Sequence, residues 1–161
     1  MASYLLDTNI LVARINSLDP NHGETLDVLT ALALRHHRML ITPQVLIEFH
    51  RVCTRPGGAG GLGMTPQEAF TQRVRAARLF QLVPETPDIF AQWEGILNAV
   101  DVRGKQVHDA RIAAVCLAAG IDSLLTYNGA DFARYARLFP RFSAVSPSDI
   151  VRGAGLAEAR E

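Results

Sequence analysis

Asp7, Glu48, Asp109 and Asp131 are the residues of this chain whose type and setting could do chemistry. Carboxylates brought together repel one another and hold their protons more tightly unless a cation neutralises them. Each acid also has an ordinary reading. Asp7 follows an apolar run in Tyr4-Leu5-Leu6-Asp7-Thr8-Asn9-Ile10-Leu11 and could simply cap the helix after it. Glu48 stands beside the apolar stripe Val45, Leu46 and Phe49, where a carboxylate is costly unless paired, bound to a metal or turned to solvent. Asp109 falls in the first turn of the Ala-rich segment Gln106–Ala114, where the helix dipole favours a negative charge. Asp131 sits in the turn after an apolar run that ends at Thr126. Taken singly, caps and surface charges explain them all.

The elements that would carry these acids say more. Short apolar runs at Ser3–Leu6, Met39–Ile41, Phe80–Val83, Ser123–Thr126 and Phe142–Val145 predict five strands. Segments of helical spacing lie between them, such as Leu26, Leu29, Leu32, Ala33 and Ile112, Val115, Cys116, Ala119. This alternation predicts an α/β fold with a parallel sheet and helices on both faces. Thr42-Pro43, Thr65-Pro66, Thr86-Pro87 and Ser146-Pro147 each place an N-cap residue before proline at the first helical position. Thr65-Pro66-Gln67-Glu68 adds the capping-box spacing. In such a sheet Asp7 and Asp131 follow strand ends, Asp109 opens a helix and Glu48 borders a buried face. Those positions converge on the crevice at the carboxyl ends of the strands. Thr8 and Asn9 follow Asp7 directly, and their side chains can hydrogen-bond its carboxylate and fix its orientation.

Composition bounds the reading without choosing a function. The chain has 161 residues, 48% hydrophobic and 20% charged, which suits one globular domain. No apolar run approaches the roughly 20 residues that cross a bilayer, and Asp7 interrupts the apolar N-terminus, so a cytoplasmic protein without a signal peptide is expected. Cys53 and Cys116 lie in separate apolar runs and are expected to be buried thiols. Formal net charge is zero, and all but one of the 16 basic residues are Arg, the exception being Lys105. Global charge therefore gives no support to a nucleic-acid partner. The Gly-rich stretch Arg55–Gly63 reads as a mobile loop, with no preceding strand to make it a phosphate cradle. The domain is expected to end near residue 151, with a loose tail from Arg152.

Four stretches resemble one known family in order: Leu6–Leu11, Glu48-Phe49, His108–Ala114 and Leu125–Phe132. The family is the PIN-domain nucleases, and within it the VapC toxins of bacterial toxin–antitoxin pairs. The likeness spans about residues 3 to 150, and Thr54-Arg55-Pro56 with the glycines after it resembles a loop of one VapC subgroup. The resemblance implies a three-layer α/β/α fold around a five-stranded parallel sheet, and an activity that cleaves RNA. It implies that Asp7, Glu48, Asp109 and Asp131 are the acidic quartet that binds Mg2+ or Mn2+, one or two ions. Asp7 and Asp109 are then the most direct ligands, and Thr8, Asn9, Thr126 and Asn128 orient them. The resemblance further implies a homodimer and a small VapB-like antitoxin that lays an Arg or apolar segment across the acids. Arg51, Arg55 and Arg111 are the candidates for RNA contact.

Three other readings compete. A haloacid dehalogenase-type phosphatase also has an Asp after its first strand, and Lys105 could serve it, but that family wants a second Asp where this chain has Asn9. A non-catalytic RNA-binding PIN module would have lost a quartet acid, and all four are present. A PIN nuclease that processes RNA without a toxin role differs only in its genetic neighbourhood.

Overall fold

The computed structural model describes residues 1–158, and residues 159–161 of the expected tail lie outside them. Five strands form one sheet: β1 (Ser3–Leu6), β2 (Arg38–Ile41), β3 (Gln81–Leu82), β4 (Ser123–Leu125) and β5 (Ala144–Val145). All pairings are parallel and the strand order is β3-β2-β1-β4-β5. Leu5, Leu6, Leu40, Ile41, Leu124 and Leu125 are buried, which is why the central strands are continuous apolar runs rather than alternating ones. The edge strands β3 and β5 are only two residues long, so the expected run Phe80–Val83 is strand at its centre alone and Phe142–Val145 at its end alone.

Among the described residues, eight α-helices connect and flank the strands: α1 (Thr8–Ile15), α2 (His22–Leu34), α3 (Pro43–Thr54), α4 (Pro66–Leu79), α5 (Pro87–Ala99), α6 (Gln106–Ala119), α7 (Gly129–Leu138) and α8 (Pro147–Glu158). The first two crossovers move from β1 outward to β3, and the later ones run from β3 to β4 and on to β5. Right-handed connections in opposite directions put their helices on opposite faces. Accordingly α1 to α4 pack together with α8, while α5 to α7 form the other layer. The chain is a three-layer α/β/α sandwich. Its sequence reverses direction between β1 and β4, the topological switch point where open parallel sheets leave a crevice.

The four Thr/Ser-Pro pairs all open helices. Thr42 accepts from the main-chain nitrogen of Val45, and Thr65 forms the full capping box with Glu68. Cys53 and Cys116 are free and buried, and burial pushes the Cys53 thiol up to about 11. Helix α8 runs through Glu158, into the stretch expected as a tail from Arg152.

The Gly-rich stretch is not a free loop. Its backbone folds back on the end of α3: Leu62 donates to Val52, Met64 to Cys53 and Gly63 to Arg55, at 2.8–3.1 Å. Gly61 is needed there, because a Cβ would meet the Arg55 carbonyl oxygen at 2.0 Å. Gly61→Ala is therefore expected to lower stability by about 1–3 kcal/mol, the usual cost of overpacking. Gly58→Ala, with nothing within 4 Å of its added methyl, should melt like the parent. Paired thermal melts check this contrast.

Candidate active site

The four acids reach one cleft from four elements. Asp7 follows β1, and its main-chain nitrogen donates to the Leu125 oxygen at 3.0 Å, extending the β1–β4 ladder by one residue. Glu48 projects from the middle of α3, Asp109 from the first turn of α6, and Asp131 from the first turn of α7. All four line a cleft of about 850 Å³ at the switch point, beside Thr8, Asn9, Gln44, Arg51, Lys105, His108, Arg111 and Asn128.

Asp7 is the most constrained. Its Oδ1 accepts from the Thr8 main-chain nitrogen at 2.7 Å; its Oδ2 accepts from the Thr126 hydroxyl at 2.7 Å and from Asn9 Nδ2 at 3.2 Å. The Thr126 hydroxyl also accepts from Asn9 Nδ2 and from the Asn128 main-chain nitrogen, so its one proton and both lone pairs are engaged. Asn9 Oδ1 in turn accepts from the Tyr127 nitrogen. This network ties the end of β1 to the turn after β4. Asp131 then follows through its main-chain bond to the Asn128 oxygen. Of the four expected orienting residues, Asn9 and Thr126 act on Asp7 with their side chains. Thr8 acts through its backbone, and Asn128 reaches only Thr126, also through its backbone.

The electrostatics are those of crowded carboxylates. Burial is the main cause that raises the Asp7 carboxyl above its ordinary value; the three hydrogen-bond donors oppose it, and the charge of Glu48 adds to it. Asp109 is pushed up to about 6, first by burial and then by the charges of Asp131 and Asp7, with Lys105 opposing. Among the described residues six acids line the cleft, the quartet plus Asp19 and Glu85, against the cations Arg51, Lys105 and Arg111. A phosphate would meet net repulsion there without an added cation.

The three arginines are placed differently. Arg51 pairs with Glu48 at 3.2 Å on the exposed face of α3. Arg111 lies in the cleft with its guanidinium engaged by Glu85 and Gln44. Arg55 does not line the cleft; it folds over the glycine turn and donates to the Ala59 oxygen at 3.3 Å. Asp19, Gln44 and Glu85 escaped the sequence reading, which weighed Lys105 only for a phosphatase. Asp19 and Glu85 come from connecting segments with no periodicity, so no pattern could have marked them.

The donor set fits a hard divalent cation. Among the described residues, no three His, Cys, Asp or Glu side chains already close on one point as a metal cage. Mg2+ does not require one, since it keeps several waters and takes one or two carboxylates directly. The Thr8 hydroxyl adds a second sign. It lines the cleft, is buried and has no hydrogen-bond partner among the described residues, so it is open to a water or a phosphate oxygen.

A three-layer sheet with an acidic cleft at its switch point defines a class, and the family follows. The chain belongs to the PIN domain family, whose model matches residues 4–138. No curated protein sequence matches it. Similar solved structures include VapBC2 of Rickettsia felis bound to a promoter DNA fragment, with a TM-score of 0.68, 18% identity, and coverage of 89% of this chain and 98% of that one. FitAcB of Neisseria gonorrhoeae has a TM-score of 0.64 at 18% identity, covering 89% and 97%. VapC20 of Mycobacterium tuberculosis, a toxin that cleaves the sarcin–ricin loop, has a TM-score of 0.62 at 20% identity, covering 81% and 94%. At these identities the likeness is one of fold. Among the described residues, no helix is long and apolar enough to cross a membrane.

Proposed function

We propose that this chain is a metal-dependent ribonuclease, the toxin of a toxin–antitoxin pair. The observation that carries the reading is the arrival of Asp7, Glu48, Asp109 and Asp131 from four elements in one cleft, where Asp109 is pushed up to about 6. When bound, Mg2+ or Mn2+ supplies charge neutralisation and activation of water for phosphodiester hydrolysis. Asp7 and Asp109 would hold the ion, with Glu48 and Asp131 lining the same cleft beside them. Protons and cations compete for Asp7 and Asp109, so the raised proton affinity of these two is what a cation relieves. Asn9 and Thr126 fix the Asp7 oxygens, Arg51 holds Glu48, and Lys105 offers a cation beside Asp109 for the substrate phosphate.

The neighbour that cleaves the sarcin–ricin loop makes a structured RNA the first substrate to try. The VapBC neighbours favour a small antitoxin as partner. A homodimer is the expected assembly. Purified protein should cleave RNA with Mg2+ or Mn2+, stop in excess EDTA and resume when the metal is restored. Cleavage indifferent to EDTA, or hydrolysis of p-nitrophenyl phosphate in place of RNA, overturns the reading. The toxin role has its own check: expression should arrest growth, a small upstream reading frame should relieve it, and Asp7→Asn should not arrest growth. Cleavage without growth arrest leaves a processing nuclease.

A further inference from the structure

Gln44 stands in α3 one turn before Glu48, and its carboxamide crosses the cleft to the opposite layer. Its Nε2 donates to the main-chain oxygen of His108 at 3.0 Å, and its Oε1 accepts from Arg111 Nη1 at 3.0 Å. Arg111 Nη2 donates in turn to Glu85, just before α5. His108 and Arg111 flank Asp109 on α6. Gln44 therefore holds α6 on both sides of the acid, from the same helix that carries Glu48.

The walls of the cleft need such a tie. Helix α3 packs chiefly on α1 and α4, and α6 on α5 and α7, so the two acids sit on separate layers. Their like charges push those layers apart, most strongly when no cation lies between them. The bridging group must donate to a carbonyl and accept from a guanidinium, and among long side chains a carboxamide does both. Arg111 must reach Gln44 and Glu85 together, which a planar fork does and a single ammonium does not.

We propose that Gln44, held by Arg111 and Glu85, is a positioning residue that sets the separation of Glu48 from Asp109 and thereby the grip of the cleft on its cation. The proposal rests on the metal-dependent reading above. It is tested with Gln44→Met, which keeps length and loses both bonds, and Arg111→Lys, which keeps charge and loses the fork. Calorimetric titration with Mn2+ in the absence of RNA should show affinity weakened by about tenfold in both, the scale on which partners of ligating residues act. At saturating Mn2+ kcat of Gln44→Met for RNA should return to the parent value, because the reacting groups are intact.

Parental Mn2+ affinity in both variants overturns the proposal. So does a loss of kcat in Gln44→Met that persists at saturating metal, which marks a general structural role. An Arg111→Lys protein with raised KM for RNA and unchanged Mn2+ affinity also overturns it, in favour of a phosphate contact. A parent protein that takes up no Mn2+ overturns both this proposal and the reading beneath it.

Discussion

Asp7→Asn is expected to reduce RNA cleavage by more than about a hundredfold, since even groups that only support a metal ligand are worth up to that much. The fold should survive the change. Asp7 caps α1 by accepting from the Thr8 nitrogen, and Asn is as good an N-cap as Asp. Its amide oxygen can keep either the Thr8 bond or the Thr126 and Asn9 pair, though not both. Against that loss stands the removal of a charge that burial disfavours. The variant should therefore melt close to the parent and show the same far-ultraviolet spectrum while failing to cut. This outcome separates two roles for the same residue. A residue that only caps a helix tolerates Asn in every assay; a metal ligand loses catalysis alone. An Asp7→Asn protein that cleaves RNA at the parental rate with Mg2+ present leaves the acidic quartet without a catalytic role.

Much of the frame was legible because it depends on local rules. The central strands are unbroken apolar runs, and the helices after β2 and β5 begin at Thr-Pro or Ser-Pro, so local chemistry marks where each starts. Burial of Leu5, Leu6, Leu124 and Leu125 on both faces follows from the same runs. The quartet was legible in a different way. Asp7 and Asp131 take their place from strand ends, and sheet topology gathers such ends whatever their identity.

What escaped depends on contacts between distant segments. Gln44 reads as an unremarkable residue in a first helical turn until α6 is placed beside it. Glu85 lies 26 positions from Arg111, and no periodicity links them. The Arg55–Gly63 stretch misled for a related reason. Glycine frees a chain in the unfolded state, but here it permits close return to the Arg55 carbonyl, which composition does not reveal.

The metal-free protein should be more stable at pH 5 than at pH 7, the reverse of what paired surface carboxylates give. Asp109 is raised from 3.8 to about 6 in the folded chain. Below 3.8 both states are protonated and the group contributes nothing. Between 3.8 and about 6 the unfolded chain releases a proton that the folded chain keeps, so stability falls as pH rises, and above about 6 the loss is complete. Asp7 is raised as well and acts with the same sign. Glu68, Asp122 and Asp149 are lowered by hydrogen bonds and have the opposite sign, but their stabilisation is lost at pH values below the unfolded carboxylate range. Comparing pH 5 with pH 7 thus keeps their contribution nearly constant while Asp109 titrates. Solvent screening at the half-buried Asp109 reduces the full effect to a shift of a few degrees in Tm. Asp109→Asn should abolish most of that difference and raise Tm at pH 7. Adding Mg2+ or Mn2+ to the parent at pH 7 should raise Tm too, because a cation that binds only the folded state stabilises it by mass action. A parent whose Tm in EDTA rises from pH 5 to pH 7 would mean that the carboxylates do not crowd one another. The cleft would then have no electrostatic need for a cation.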